Sequence, residues 1–112
     1  MKPGDIYFVS LDPTAGHEQR GLRPVFILTP EAFNRITGTA IVAAITNGGQ
    51  FARTNGLAVD LPVTGMKTTG TVRCDQIRPL DLVARRARFV ESTGAATIAD
   101  VLDRIAAIFE LP

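Results

Sequence analysis

From Lys67 to Gln76 the chain alternates, and that alternation restricts the fold more tightly than any other stretch. A β-strand points successive side chains to opposite faces with a period of 2. Thr69, Thr71, Arg73 and Asp75 then share one face, and Gly70, Val72, Cys74 and Gln76 the other. A cation and a carboxylate project side by side, roughly 7 Å apart along the strand. A face turned only toward a core would not carry that pair, because unpartnered buried charge is costly. A face that holds a polar substrate would.

The rest of the chain supplies neighbours for this strand. Asp5–Leu11 is apolar on both faces and reads as a central strand, ended by Asp12-Pro13. A polar loop containing His17 and Glu18 follows to Gly21, and loops of this length in a small domain are disproportionately functional. Arg23-Pro24 opens a second strand, Val25–Leu28. Thr29-Pro30-Glu31 has the form of an N-cap, a first-turn proline and an early acid, which predicts a short helix over 30–35 that stops near Gly38. Thr39–Thr46 is a third strand buried on both sides, and Asn47-Gly48-Gly49 a turn signal. The segment through Asn55-Gly56 reads as a flexible loop or loose hairpin, and Leu57–Leu61 as a fourth strand. Pro79 and Asp81 are expected to end the organising strand, and Ala84–Glu91 to form another with Arg86 and Arg88 on one side.

The last element is an amphipathic helix near 97–110, capped by Thr97 with Asp100 three residues on. Its apolar stripe is Ile98, Val101, Leu102, Ile105, Ile108 and Phe109. The stripe is wide for so small a barrel, so part of it is available to a symmetric partner. Together these elements predict one domain over residues 1–112, mostly β with helices, built as a small barrel of six or seven mainly antiparallel strands.

Composition narrows the function classes. Nothing reads as a secretory leader or a membrane-spanning segment, so no membrane role is expected. Cys74 is the one cysteine, which rules out an internal disulfide and fits a reducing cytoplasm. One Cys and one His make no zinc set, and no metal or other cofactor is expected. Cys74 shares a face with Val72 and reads as core filler rather than as a nucleophile. The formal charge of +1 conceals an asymmetry: residues 20–88 hold ten Lys or Arg against four acids, and residues 91–112 one Arg against four acids. A basic face of that kind fits a polyanion or an acidic partner peptide.

Arg73, Asp75 and His17 together fit one chemistry. A phosphodiester beside a 2′-hydroxyl carries its own nucleophile, and cleaving it takes a base near that hydroxyl, a cation on the phosphate and an acid near the leaving 5′-oxygen. Asp75 fits the base, and Arg73 a bidentate phosphate clamp. His17 is the chain's one natural proton carrier near neutrality.

At these residues the sequence resembles a known family. Gly4-Asp5-Ile6, Leu11–Thr14 through Gly16–Gln19, Gly21 with Arg23-Pro24, Thr46–Gly49 with Phe51-Ala52-Arg53, and Thr68–Gly70 through Val72–Gln76 are similar, in order and spacing, to the PemK/MazF family of toxins, nearest its Kid/PemK plasmid branch. The resemblance runs from about Lys2 to the final helix. It implies an SH3-like barrel closed by a C-terminal helix and working as a homodimer. It also implies a metal-independent, ribosome-independent endoribonuclease that cuts single-stranded RNA to 2′,3′-cyclic phosphate and 5′-hydroxyl ends and so inhibits translation. A cognate antitoxin with an acidic, disordered tail would occupy the RNA groove.

By motif, Asp75 is then the general base, Arg73 the acid and His17 an assistant at the phosphate, while Glu18, Thr46, Asn47, Asn55, Leu57, Thr69 and Thr71 line the RNA site. Arginine stays protonated far above neutral pH, so transition-state stabilisation suits Arg73 better than proton donation, leaving His17 or water as the donor. Four positions depart from the plasmid branch, which has Ser at 47, Ala at 55, Phe at 57 and Val at 71; here they are Asn47, Asn55, Leu57 and Thr71. An alternative from another class is a non-enzymatic, CcdB-like toxin on the same barrel that poisons DNA gyrase through its dimer face and C-terminal helix. A peptide-binding adaptor is the weakest reading, since the chain has one Tyr and no Trp to build an aromatic groove.

Overall fold

The computed structural model describes residues 1–48, 52 and 55–112. Parts of three expectations, the turn at Gly49, the motif residues Phe51 and Arg53, and the loop or loose hairpin that leads to Asn55-Gly56, lie outside the described residues. Six strands are present among those described: β1 (Asp5–Ser10), β2 (Leu22–Ile27), β3 (Ala40–Thr46), β4 (Ala58–Asp60), β5 (Thr71–Leu80) and β6 (Arg88–Ser92). Two helices accompany them, α1 (Glu31–Thr37) and α2 (Ala95–Phe109). The strands hydrogen-bond in the order β4-β5-β3-β2-β1-β6, every neighbouring pair antiparallel. The fold is mostly β with helices, as expected, but the order has two free ends, β4 and β6, so the barrel is not closed.

Both faces of the sheet are covered, which is why Val25–Ile27 of β2 and Ala40–Ile45 of β3 are apolar at successive positions. Phe26, Ala43, Ile45, Val72 and Cys74 face one core layer, with Val101 of α2 fully buried against it. Val25, Ile27, Val42 and Ala44 face a second layer with Val9, Leu11, Leu80 and Leu82. Burial of Val101 alone stabilises the docking of α2 by about 2 kcal/mol. Ile98, Ile105 and Ile108 pack around it, whereas Leu102 and Phe109 of the same stripe stay exposed.

Several boundaries differ from the sequence reading, each for a physical reason. Pro24 lies inside β2 rather than at its opening, opposite Phe8, and Pro79 lies inside β5 rather than ending it, opposite Ile41. At each the strand has a single neighbour, so the absent N–H breaks no ladder. Residues 84–87 are not strand. The Asp81 carboxylate accepts from the Ala84 N–H and Arg85 N–H donates to the Asp81 carbonyl, a side-chain-capped turn that outcompetes the ladder. Arg86 ends in the left-handed region, at φ 56°, and shares no strand face with Arg88. Helix α2 begins at Ala95 with Gly94 as N-cap, so Thr97 sits buried in its first turn rather than capping it. Thr29 likewise does not cap α1. Its hydroxyl donates to Asn34 Oδ1 and accepts from Ile41 N–H, tying the helix to β3.

Candidate active site

The site is made by a bulge. On β3, Ala43 faces Ile77 of β5, but the next residue, Ala44, faces Arg73. Three residues of β5, Cys74, Asp75 and Gln76, therefore have no opposite number on β3. On the other side Cys74 N–H donates to the Leu57 carbonyl at 2.9 Å, one step beyond the β4 pairing, which ends at Ala58 opposite Arg73. Inserting an odd number of residues reverses which parity faces which layer. Before the bulge the even residues Val72 and Cys74 belong to the layer under α2; after it, the even residue Leu80 belongs to the opposite one. Arg73 and Arg78 thus share a face despite their odd spacing, with the bulge between them.

On that face Arg73 grips Asp75 with two bonds, Nε to Oδ1 at 2.8 Å and Nη2 to Oδ2 at 2.7 Å. Their side chains are only 13% and 21% exposed, so the pair is partly desolvated. The bidentate bond and the Asp75 charge outweigh burial and raise the Arg73 pKa further above its ordinary value. Cys74, between them in sequence, points the other way, and burial pushes its thiol up to about 11.

Across from the bulge lies the β1–β2 loop. Its base is clipped by two guanidiniums: Arg78 donates to the Leu11 carbonyl, and Arg85 to those of Ser10 and Asp12, all at 2.9 Å. Its tip carries His17 and Glu18 to the rim of a cleft of about 300 Å³ that Asp75, Gln76 and Arg78 line from the other side. Leu11, Val42 and Ala44 also line it. Asp75 and the exposed His17 thus meet on one concave surface. Glu18 also organises the tip itself, its carboxylate accepting from Ala15 N–H while its own N–H donates to the Ala15 carbonyl.

The remaining expected residues divide. Thr46, Asn47 and Thr69 gather where β3 ends and β5 begins: Thr46 Oγ1 accepts from Gly48 N–H, and Thr69 Oγ1 reaches Asn47 Oδ1 at 3.5 Å. Glu91 anchors the approach to this corner, accepting from the Lys67 N–H and from the N–H and hydroxyl of Thr68. Burial works to raise the Glu91 pKa, but those donors and Lys67 together bring it below its ordinary value. Asn55 is exposed and Leu57 half-buried, beside Arg104 and Ile108 of α2. Thr71 is a correction. It has no exposed surface and donates its hydroxyl to Asp60 Oδ1 at 2.9 Å, so it cannot touch a substrate directly. Sequence reasoning missed Gln76, which strict alternation assigned to the core face and the bulge turns toward the cleft.

The basic surplus is largely engaged with the protein. Arg20 and Arg23 bind loop carbonyls, as Arg78 and Arg85 do, and among the described residues none of the four has a carboxylate partner that would cancel its charge. Of these four, Arg78 lines the cleft, together with the carboxylates of Glu18 and Asp75. Among the described residues no group of three or more His, Cys, Asp or Glu is placed to hold a metal ion, and no helix is long and apolar enough to cross a membrane.

Comparison with known proteins adds a second line of evidence. The family model described as "PemK-like, MazF-like toxin of type II toxin-antitoxin system" matches residues 2–109. The chain is 52% identical over 108 residues to the endoribonuclease PemK of Escherichia coli, covering 96% of this chain and 81% of that one. It is 40% identical over 108 residues to the endoribonuclease toxin ChpB of E. coli K12, covering 96% and 92%. Among solved structures it superposes on MazF of Deinococcus radiodurans with a TM-score of 0.88 at 29% identity, covering 99% and 97%. It also superposes on a chain of the MazE–MazF complex of that organism with a TM-score of 0.81 at 28% identity, covering 100% and 97%. These relatives are named endoribonucleases or MazF, which disfavours the gyrase-poison alternative.

Proposed function

The chain belongs to the PemK-like, MazF-like family of type II toxin–antitoxin toxins, and from that premise we propose that it is an endoribonuclease cutting single-stranded RNA by attack of the substrate's own 2′-hydroxyl. The observation that carries this reading is the Asp75 carboxylate, held at both oxygens by Arg73 from behind and lining a cleft that His17 lines from the other side. Asp75 takes the 2′-hydroxyl proton, the 2′-oxygen attacks phosphorus, and the bond to the 5′-oxygen breaks as that oxygen gains a proton. The products are a 2′,3′-cyclic phosphate and a 5′-hydroxyl, and no external nucleophile is needed. Two of the carboxylate's four lone-pair sites face Arg73, leaving others for the proton. Arg73 stabilises charge on the crowded phosphate, since its pairing with Asp75 makes loss of its own proton harder still. His17, or water held beside it, delivers the proton to the leaving oxygen.

Glu18, Thr46, Asn47, Asn55, Leu57 and Thr69 contact the RNA in this reading, and Thr71 acts through Asp60. A cognate antitoxin is the partner, and its acidic segment competes with RNA for the cleft. The chain pairs as a homodimer that covers part of the apolar surface left on and beyond α2, where Phe109 and Leu111 are 74% and 67% exposed.

The deciding assay is purified protein with a mixed-sequence RNA in excess EDTA, with the product ends identified. Cyclic phosphate and 5′-hydroxyl ends, lost in Asp75→Asn, are expected. No cleavage, or 5′-phosphate ends, would overturn the reading.

A further inference from the structure

We infer that Gln76 is a positioning residue whose side-chain amide clasps the tip of the β1–β2 loop and so sets where the His17 ring stands relative to Asp75. Its Oε1 accepts from the Gln19 N–H at 3.2 Å, and its Nε2 donates to the His17 carbonyl at 3.4 Å, across 57 and 59 residues of sequence. The other hydrogen bonds at the tip are local: Glu18 to Ala15, and Arg20 to the Gly16 carbonyl. Among the described residues, Gln76 is thus the one side chain outside the loop that hydrogen-bonds to residues 15–19. The arginine clips hold the loop's base, several residues from the imidazole.

The clasp and the base share one rigid origin. Gln76 adjoins Asp75 within the bulge, so a shift of that stretch of backbone moves the base and the clasp together. An amide is also the group the geometry requires. One donor and one acceptor are engaged by a carbonyl and an N–H two residues apart. An ionised carboxylate would keep the Gln19 bond, lose the His17 bond, and add a second anion beside Asp75. A displacement of about 1 Å between reacting groups can cost up to a hundredfold in rate, so two modest hydrogen bonds have kinetic leverage beyond their effect on stability.

The inference rests on the endoribonuclease reading, and its test separates the two. Gln76→Ala and Gln76→Glu are made in the wild-type and His17→Ala backgrounds, with kcat and KM measured on a short single-stranded RNA. Gln76→Ala is expected to lower kcat about tenfold with KM within about twofold, and to have no further effect once His17 is gone. Gln76→Glu is expected to fall at least as far. Full activity in Gln76→Ala, or losses that multiply with His17→Ala, would overturn the inference.

Amide hydrogen exchange supplies a readout without RNA. Gln76→Ala speeds exchange at Gln19 and leaves Val72 and Cys74 protected. Should those core amides also exchange faster, Gln76→Glu decides, because it keeps the Gln19 acceptor and breaks only the bond to His17. A wild-type protein that cuts no RNA while the exchange result holds would refute the nuclease reading and leave the clasp standing.

Discussion

Arg73 holds both oxygens of Asp75 through Nε and Nη2, at 2.8 and 2.7 Å, from a position two residues away on the same strand. The geometry is that of a planar fork on a carboxylate, and it does two things at once. It fixes the base in one rotamer, and it places a permanent positive charge where a phosphate would arrive.

Arg73→Lys tests that relationship. An ammonium keeps the charge but offers no parallel pair of donors, so Asp75 loses its fixed orientation. The single-turnover rate on a short RNA is expected to fall about a hundredfold or more, in the range seen when one transition-state donor is removed. A lysine variant with near-wild-type activity would show that the charge suffices and the fork does not matter.

The identity of the proton donor is tested by the leaving group. An RNA with sulfur in place of the bridging 5′-oxygen needs no proton on departure. It is expected to recover most of the roughly 10²–10⁴-fold loss that removal of a general acid causes in His17→Ala. Asp75→Ala, lacking the base, stays inactive on the same substrate. Recovery in Arg73→Ala instead would make the arginine the donor.

Much of this site was legible in the sequence. Alternation put Arg73 and Asp75 on one face and Cys74 in the core, and all three are there. What alternation could not reveal was the three-residue bulge, because both sheet faces are covered and an apolar residue at either parity past Cys74 fits one core layer or the other. Strict alternation therefore puts Gln76 on the core face, and Pro79 reads as a strand end because nothing in the sequence marks that β5 has a single neighbour there. Thr71 shows the opposite failure. Its face was right, but burial under Asp60 depends on the register of β4, which three short residues do not announce.

Cys74 carries a pH signature. Burial pushes its thiol to about 11 from an ordinary 9.0, so the folded state holds the proton more tightly than the unfolded chain. Its contribution to stability is complete below about pH 9 and is lost progressively as pH rises toward 11. The gap in urea midpoint between wild type and Cys74→Ala is therefore expected to narrow over that interval. Below pH 9 the thiol should resist alkylation until the protein is unfolded.

Gly70 marks a close approach between the two strands at the RNA-lining corner. At φ 121° it occupies a region L side chains rarely adopt, and a Cβ there would lie 2.7 Å from the Thr46 carbonyl oxygen and 3.0 Å from Asn47 Oδ1. Gly70→Ala is expected to cost about 1–3 kcal/mol of stability in urea titration. It should also raise KM more than it lowers kcat, because Thr46 and Asn47 are displaced while the Arg73–Asp75 pair is not. A larger effect on kcat than on KM would separate this corner from substrate binding.

Sequence preference is expected to differ from that of the plasmid relatives while the chemistry is kept. Of the four departures, Asn47 and Asn55 are exposed and Leu57 is half-buried, so these three, rather than Thr71, are placed to meet bases. Asn47 offers a paired amide donor and acceptor where Ser has one hydroxyl, Asn55 adds a donor and an acceptor that Ala lacks, and the missing aromatic at position 57 removes a stacking surface of about 1–3 kcal/mol per base. Cuts mapped on one mixed-sequence RNA should therefore fall at sites distinct from those of E. coli PemK. Asn47→Ser with Leu57→Phe should move them toward that pattern without changing the product ends. If the unmodified protein already cuts only where PemK does, these positions do not read sequence, and discrimination must come from elsewhere in the cleft.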